Sequence, residues 1–429
     1  MRIQRSALLW LVLIVVTPAC SPADTLPASD WWTYRKDASG SARYAGNDVN
    51  PPLQLSWEHT FSEGTPRYLG YPVLGPDHVY VPLLVITGTA VTTELIALRL
   101  TDGNTEWSFS PAGARSNEMQ GPPIISNDRI YAAFFSFFEG TSQGLEHIYA
   151  LKPDGTVDWK IEASRGLPLI GRMTAANGLL LFCSLVNNER FLHAIHQDTG
   201  EEAWRVSLGQ RPDSRWDDFI TPVEFKHSTQ GQLILIATRE NMRALRFDPA
   251  REEVWRLAFP RVGNGDVPIE YKWSSHNDPS DVLVSMVPDD MSVVDVHRLS
   301  ENGTLRRTVQ FSATPLNDRS ANHLASWGVG LAGQPDAILL EGTSVRSLSG
   351  WIASDPDGLR IYSPPAVAPG LLFYANSLRL HVLSTVDGSH LWSDNTELTP
   401  FNLAGGIAID HGLVVASIGP RIRAFRGAP

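Results

Sequence analysis

Hydrophobic residues in this chain fall into short runs, and past the first twenty residues no run keeps a helical period over eleven or more positions. The runs include His78–Ile86 (HVYVPLLVI), Arg129–Phe137 (RIYAAFFSF), Gly178–Val186 (GLLLFCSLV), Gln232–Thr238 (QLILIAT), Leu371–Asn376 (LLFYAN) and Gly412–Ile418 (GLVVASI). They are rich in β-branched and aromatic residues and bounded by Gly, Pro, Asn or Asp, which is the pattern of strands. Asn-Gly, Asp-Gly and Asp-His pairs between runs mark tight turns, where glycine takes positive φ without steric cost. The pattern predicts an all-β chain.

One combination of run, turn and tryptophan keeps returning. Phe191–Trp204 reads FLHAIHQDTGEEAW, and its relatives are Leu95–Trp107, Ile148–Trp159, Met242–Trp255 and Leu380–Trp392. The shared frame is Ala, four variable residues, Asp or Thr, Gly, three residues, Trp. The copy ending at Trp159 is one residue shorter, and the copy ending at Trp255 is one longer and lacks the glycine. His297–Arg307 keeps the Asn302-Gly303 turn but has Arg in the place of Trp, and the copy around Arg346 has nearly lost its turn. Counted from 97, 150, 194, 244, 297, 346, 382 and 424, the spacings are 53, 44, 50, 53, 49, 36 and 42 residues. Those are the periods of four-stranded propeller blades. Eight units fit the length, and seven is the alternative if the copy near Arg346 is no true repeat.

The frame has a physical reading. A strand ends, the Asp/Thr-Gly pair reverses the chain, and the next strand begins near the tryptophan. A ring repeated once per blade packs between neighbours, burying on the order of 200 Å² each. Gly103, Trp107, Gly155, Trp159, Gly200, Trp204, Trp255, Gly303, Gly388 and Trp392 are therefore expected to be structural. The chain's ends complement each other: Arg421–Arg426 has the strand before the turn, and Pro52–Trp57 has the tryptophan strand without its first half. Exposed sheet edges are a liability, so Leu53–His59 is predicted to pair with the strand ending near Phe425. The expected fold is an eight-bladed β-propeller of four-stranded antiparallel blades, closed by the N-terminal strand.

Composition narrows the function. The 429 residues carry a net charge of −11 and show no basic patch, which argues against nucleic acid as a partner. Met1–Arg5 is basic, and Ser6–Val16 (SALLWLVLIVV) is apolar over the length of a signal-peptide core, shorter than the ~20 residues that span a bilayer. Thr17-Pro18-Ala19-Cys20 resembles a bacterial lipobox, with Thr where Leu is usual. The resemblance implies a signal peptide over 1–19, lipidation of Cys20, a tether over 20–29 and a single propeller domain over 30–429. Ser21 after the cysteine is similar to the sorting signal for the outer membrane, so the expected location is its periplasmic face, or the periplasm if Cys20 is not lipidated. Cys183, the other cysteine, lies in an apolar strand and forms no disulfide framework.

The tryptophan frame resembles the pyrroloquinoline-quinone-type propeller repeat over roughly Trp31 to Arg426. One branch of that family, the quinoprotein dehydrogenases, holds the quinone and a calcium ion on the axis. The chain has neither the adjacent cysteine pair of the methanol-type members nor a recognisable set of their metal ligands. The other branch is the propeller lipoprotein of the outer-membrane β-barrel assembly machinery, which carries no cofactor and binds partner proteins. It is similar in length, signal and lack of a catalytic set. The resemblance implies a monomeric, non-catalytic, membrane-tethered propeller that binds envelope proteins, with no cofactor; a quinone-dependent dehydrogenase and a small-molecule or glycan-binding propeller are the alternatives.

No catalytic, cofactor or metal residue stands out. There is no G-x-S-x-G elbow and no H-E-x-x-H helix. His193 and His196, three apart on a strand, point to opposite faces, which argues against a shared metal. The candidates for partner contact are the long loops Arg211–Thr221 and Pro260–His276, with Trp216, Asp217, Asp218, Tyr271 and Trp273.

Overall fold

The computed structural model describes Lys36, Ala42 and residues 44–427, apart from 62–66, 88–89, 120, 139–144, 163–168, 170, 211–220, 239–240, 248–250, 259–269, 276–280, 288–292, 313–326, 331–336, 342, 348–349, 362 and 396–403. The described residues contain no helix and form eight antiparallel sheets. In chain order, sheets 1 to 7 cover 67–109, 114–162, 174–210, 223–258, 270–312, 327–354 and 366–393. Sheet 8 covers 404–427 and takes Leu53–Thr60 as its outer strand. Leu55 lies opposite Phe425 and Trp57 opposite Ala424, the pairing expected from the two half-frames. The weak copy near Arg346 belongs to a four-stranded sheet of its own, sheet 6.

Strand order within each sheet follows the chain; first strands of neighbouring sheets approach each other at several junctions, and Ala114–Met119 of sheet 2 also runs beside Ala90–Arg99 of sheet 1. Inner strands are buried on both faces and read as continuous apolar runs: every residue of Leu371–Ala375 and of Leu413–Ile418 is buried. Outer strands alternate, as in Thr105–Phe109. The core lies between sheets. Tyr80, Ala97, Phe134 and Tyr149 join sheets 1 and 2, and Tyr131, Ala150, Phe182 and Ile195 join sheets 2 and 3. Because strands alternate in direction, first-to-second and third-to-outer turns leave from one side of the molecule. The sheet-to-sheet connectors leave from the other side.

The repeated frame becomes a repeated joint. Ala97, Ala150, Ala194, Ala244 and Val382 lie directly opposite Trp107, Trp159, Trp204, Trp255 and Trp392 on the outer strand, with a bulge immediately after each. The glycines of the next turn then lie against the preceding sheet's ring. A Cβ at Gly155 would sit 2.6 Å from Trp107, one at Gly200 2.9 Å from Trp159 and one at Gly303 2.5 Å from Trp255. Gly103 meets Trp57 and Gly388 meets Trp351 in the same way. Each indole also donates to a carbonyl of that turn: Trp57 to Leu100, Trp107 to Pro153, Trp159 to Gln197, Trp255 to Glu301 and Trp351 to Thr385, at 2.7 to 3.3 Å. Trp392 packs edge-on against Phe425 of sheet 8 at 5.7 Å.

Two copies depart from the sequence reading. The frame at 297 moves by one residue, since Arg298 is the partner of Arg307. In the copy without a glycine, Arg251 stands four residues before Trp255 with φ 49° and lays its guanidinium over Trp204 at 5.8 Å. A cation on the ring face there accompanies a backbone conformation that glycine would adopt more cheaply.

Candidate functional site

The expected contact residues Trp216, Asp217 and Asp218 lie outside the described residues, as does Cys20. Tyr271 and Trp273 fall on the strand Glu270–Ser275, the first of sheet 5. The structure gathers its chemically capable side chains elsewhere, at the junctions between sheets.

His193 is buried while His196 is exposed, so the opposite-face reading holds for the pair. His193 is also bonded through both ring nitrogens. Its Nδ1 donates to Glu202 at 3.0 Å, its Nε2 accepts from the Ser184 hydroxyl at 2.7 Å, and Phe182 stacks on the ring at 4.9 Å. These are the distances of a nucleophile–base–acid relay. Ser184 is fully buried, though, within the interface of sheets 2 and 3, and no substrate carbonyl can approach its oxygen. Burial holds the imidazole below its ordinary pKa, against the pull of Glu202.

The same device recurs at the equivalent position of sheet 7. His381 is fully buried, Tyr374 stacks on it from the neighbouring strand at 5.0 Å, and its Nδ1 lies 2.7 Å from the Ser393 hydroxyl. Its Nε2 is 2.9 Å from the Asn376 amide nitrogen and 3.2 Å from Asp357. Asp355 and Asp357 come from the connector leaving sheet 6, and Asn376 from the end of Leu371–Ala375. Burial lowers the His381 pKa, opposed by the two carboxylates, and burial raises that of Tyr374, helped by Asp355.

Asp355, Asp357 and His381 bring three possible metal-ligand atoms within 4.8 Å of one another. The centre of that group is already filled. The Asn376 amide nitrogen lies 3.2 Å from both oxygens of Asp355 and 2.8 Å from Asp357. Its own oxygen accepts from the backbone N–H groups of Leu378 and Arg379 at 2.8 and 2.9 Å, which fixes the amide's orientation. Arg379 pairs with Asp357 at 3.1 Å, and Asp355 accepts from the N–H groups of Asp357 and Leu359. A cation would have to displace the amide, so the cluster is a polar bolt between sheets 6 and 7.

A third constellation surrounds the first strands. Gly70, Gly121 and Gly171 each lie three residues before a short strand, Val73–Leu74, Ile124–Ser126 and Thr174–Ala176, and are spaced 51 and 50 residues apart. Arg172 reaches past Gly121, where a Cβ would lie 3.1 Å from its Cγ, and stacks on Tyr71 of sheet 1 at 5.6 Å. Tyr71 in turn lies over Gly406 of sheet 8 and packs against the apolar cluster of Ala42, Ile361 and Val367. These two large side chains thus extend across the inner strands of several sheets. The 50-residue glycine spacing was a second repeat in the sequence that the tryptophan frame overshadowed.

One buried acid gives a test of these junctions. Glu146 of sheet 2 accepts from the backbone N–H of Leu169, and burial, partly offset by that bond, pushes its pKa up to about 7 from 4.5. The folded state therefore binds the proton more tightly than the unfolded one. The stability tied to this proton is complete below about pH 4.5 and is lost as pH rises through 7. Glu146→Gln keeps an acceptor for Leu169. It is expected to match the parent in urea unfolding at pH 4.5 and to exceed it at pH 8 by up to about 3 kcal/mol. An advantage independent of pH would show that Glu146 titrates normally. His193 and His381 have the opposite sign: their contribution is present above about pH 6.5 and is lost as pH falls, because the unfolded chain takes up the proton first.

The fold and these junctions define a class. The chain is similar to solved propellers: to the Dos1 propeller with a TM-score of 0.54 at 11% identity, covering 88% of this chain and 96% of that one. It is similar to a europium-containing methanol dehydrogenase with a TM-score of 0.50 at 11% identity, covering 93% and 98%. A structure of BamB from Moraxella catarrhalis aligns at 0.41 and 11% identity over 87% and 99%, too low a score to carry an argument. At these identities the likeness shows the fold alone, and the chain is an all-β β-propeller. No protein-family model matches it, and no curated protein sequence does.

Proposed function

We propose that the chain is an eight-bladed propeller of the pyrroloquinoline-quinone-type repeat, its ring closed by Leu53–Thr60. It is a monomeric, non-catalytic scaffold, anchored by a lipid on Cys20 at the periplasmic face of the outer membrane. It binds other envelope proteins, in the manner of a scaffold for outer-membrane protein assembly, and uses no cofactor. The observation that carries this reading is the fate of its histidines. His193 and His381 have both ring nitrogens bonded to neighbours, within sheet 3 for His193 and within sheet 7 for His381, which also reaches Asp357 of the connector from sheet 6, so groups that could do acid–base chemistry are tied into the interior instead. What the repeats leave variable is the set of connectors on one side, where binding residues sit in repeat scaffolds.

The test has two arms. Expressed in a Gram-negative host with a labelled fatty acid, the full chain is expected to incorporate label and sediment with outer membranes, and Cys20→Ser to lose both. The purified protein, given pyrroloquinoline quinone and calcium, is expected to oxidise no alcohol with an artificial acceptor dye. Dye reduction would overturn the scaffold reading, and label retained by Cys20→Ser would overturn the anchor.

A further inference from the structure

The stretch from Ala42 to Asn50 takes a path that the repeats do not explain. Ala42 is fully buried beside Ile361 and Val367. Val367, the middle residue of the first strand of sheet 7, donates its N–H to the Ala42 carbonyl at 2.9 Å and accepts from the Tyr44 N–H at 2.7 Å. One residue bonded to two that flank a third is the ladder of a parallel pair; an antiparallel partner would exchange both bonds with a single residue. The other edge of Ala366–Ala368 is taken by Leu371–Ala375. The N-terminal segment therefore lies on the inner edge of sheet 7, the edge that a propeller turns toward its central channel.

The pairing also sets a direction. Ala366–Ala368 runs into the turn at Gly370, on the side of the first-to-second turns. A parallel segment climbs the same way, so Ala42 is the deeper residue and Tyr44 the one nearer that side. The residues that follow agree. The Tyr44 hydroxyl donates to Asp48 at 2.8 Å and accepts from the N–H of Gly412, in the first-to-second turn of sheet 8, at 3.4 Å. Asp48 and Asn50 lie against Gly427, where the third strand of sheet 8 ends opposite Leu53. The chain thus crosses the turn side of sheet 8 from axis to rim before it enters Leu53–Thr60. Upstream, Lys36 is half-buried and forms a β-bridge, so the chain still lies against the molecule six residues before Ala42.

We infer that the segment ending at Ala42 threads the central channel, entering from the connector side, and that the lipid anchor therefore holds the connector side toward the membrane. The second half rests on the anchor proposed above; the threading does not. Length permits both. Strands of sheet 1 run to ten residues, so the channel is about 34 Å deep. Twenty-two residues separate Cys20 from Ala42, a reach of at most about 75 Å. Part of that length crosses the molecule and the rest extends to the lipid. The kind of partner follows. With the connectors facing the anchor, a partner must present its binding segment at the membrane surface, as a membrane-embedded protein does.

The threading is read in the Cys20→Ser chain, whose remaining cysteine, Cys183, is buried. Ser39→Cys and Ser41→Cys are expected to react with maleimide-polyethylene glycol at least tenfold more slowly than Ser29→Cys, with unchanged thermal midpoints. A spin label on Ser29→Cys is expected to lie nearer to one on Gln210→Cys than to one on Thr199→Cys. Both partner positions are exposed on sheet 3, Gln210 at the connector end of its outer strand and Thr199 in the turn before that strand. Equal reactivity at the three serine positions, or a shorter distance to Thr199, overturns the threading. Orientation is read on the lipidated chain in phosphatidylethanolamine–phosphatidylglycerol vesicles that carry a doxyl-labelled lipid. A fluorophore on Gln210→Cys is expected to be quenched more than one on Thr199→Cys; equal quenching or the reverse order overturns the orientation. A chain that never joins the vesicles defeats the anchor and the orientation with it, while the reactivity and distance results still decide the threading.

Discussion

Gly155→Ala is expected to cost about 2–5 kcal/mol, and Gly178→Ala about 1–2 kcal/mol, although both glycines sit in turns with nearly equal positive φ, 83° and 75°. The left-handed backbone penalises any L side chain by roughly 1–2 kcal/mol, and both variants incur it. They differ in what the new methyl meets. At Gly178 nothing lies within 4 Å, whereas at Gly155 the Trp107 ring lies 2.6 Å away. That ring cannot withdraw without breaking its bond to Pro153 and its packing against Tyr80 at 5.8 Å. Overpacking a fixed site adds about 1–3 kcal/mol. Urea midpoints of the two variants at one pH isolate the docking contribution as their difference. Equal losses would mean that the ring moves freely and that the joint between sheets 1 and 2 contributes little. The outcome reaches beyond one residue, because the same joint recurs at Gly200, Gly303 and Gly388.

That joint was legible in the sequence because it is local and periodic. Four residues separate glycine from tryptophan within one turn, and the demand for positive φ is met almost only by glycine. What the sequence did not reveal was that each glycine serves the tryptophan of the preceding repeat, 37 to 48 residues away. Nor did it show that Arg251 could stand in for the glycine. The junction clusters were less legible still. His193 and His381 occupy the residue before the frame's Ala or Val, where other copies carry Ile96, Tyr149 or Arg243. Their role depends on a cross-strand aromatic, Phe182 or Tyr374, and on oxygens from other segments. Asp355 and His381 are 26 residues apart and belong to different sheets. No periodicity joins them, only the register of strands and the path of a connector.

Arg423→Met is expected to cost about 3–5 kcal/mol and to loosen Leu53–Thr60 before the rest of the molecule. Arg423 is 1% exposed on the last strand and ties that strand to two other segments. Its Nε pairs with Glu58 on the N-terminal strand at 2.9 Å, its Nη1 pairs with Asp394 at the end of sheet 7, and its plane lies over Phe425 at 5.1 Å. Burial pulls the guanidinium's pKa down and Glu58 opposes that, but the group stays charged at any working pH. Methionine fills the volume and leaves Asp394 buried without the cation, which is the costly way to break a buried pair. Glu58 suffers less, because Arg421 still reaches it at 3.1 Å. Arg423→Lys should rescue little, since one ammonium cannot present the planar fork that serves both acids at once. Arg423→Met combined with Asp394→Leu should recover most of the loss, because no charge is then left buried alone. Hydrogen exchange locates the effect. Amides of Leu53–Thr60 and Arg421–Gly427 are expected to exchange faster in Arg423→Met, while those of Leu179–Val186 in sheet 3 keep their protection. A uniform acceleration across all sheets would mean that the seam is no weaker than the other junctions, and that the ion cluster stabilises the fold as a whole instead of fastening its two ends.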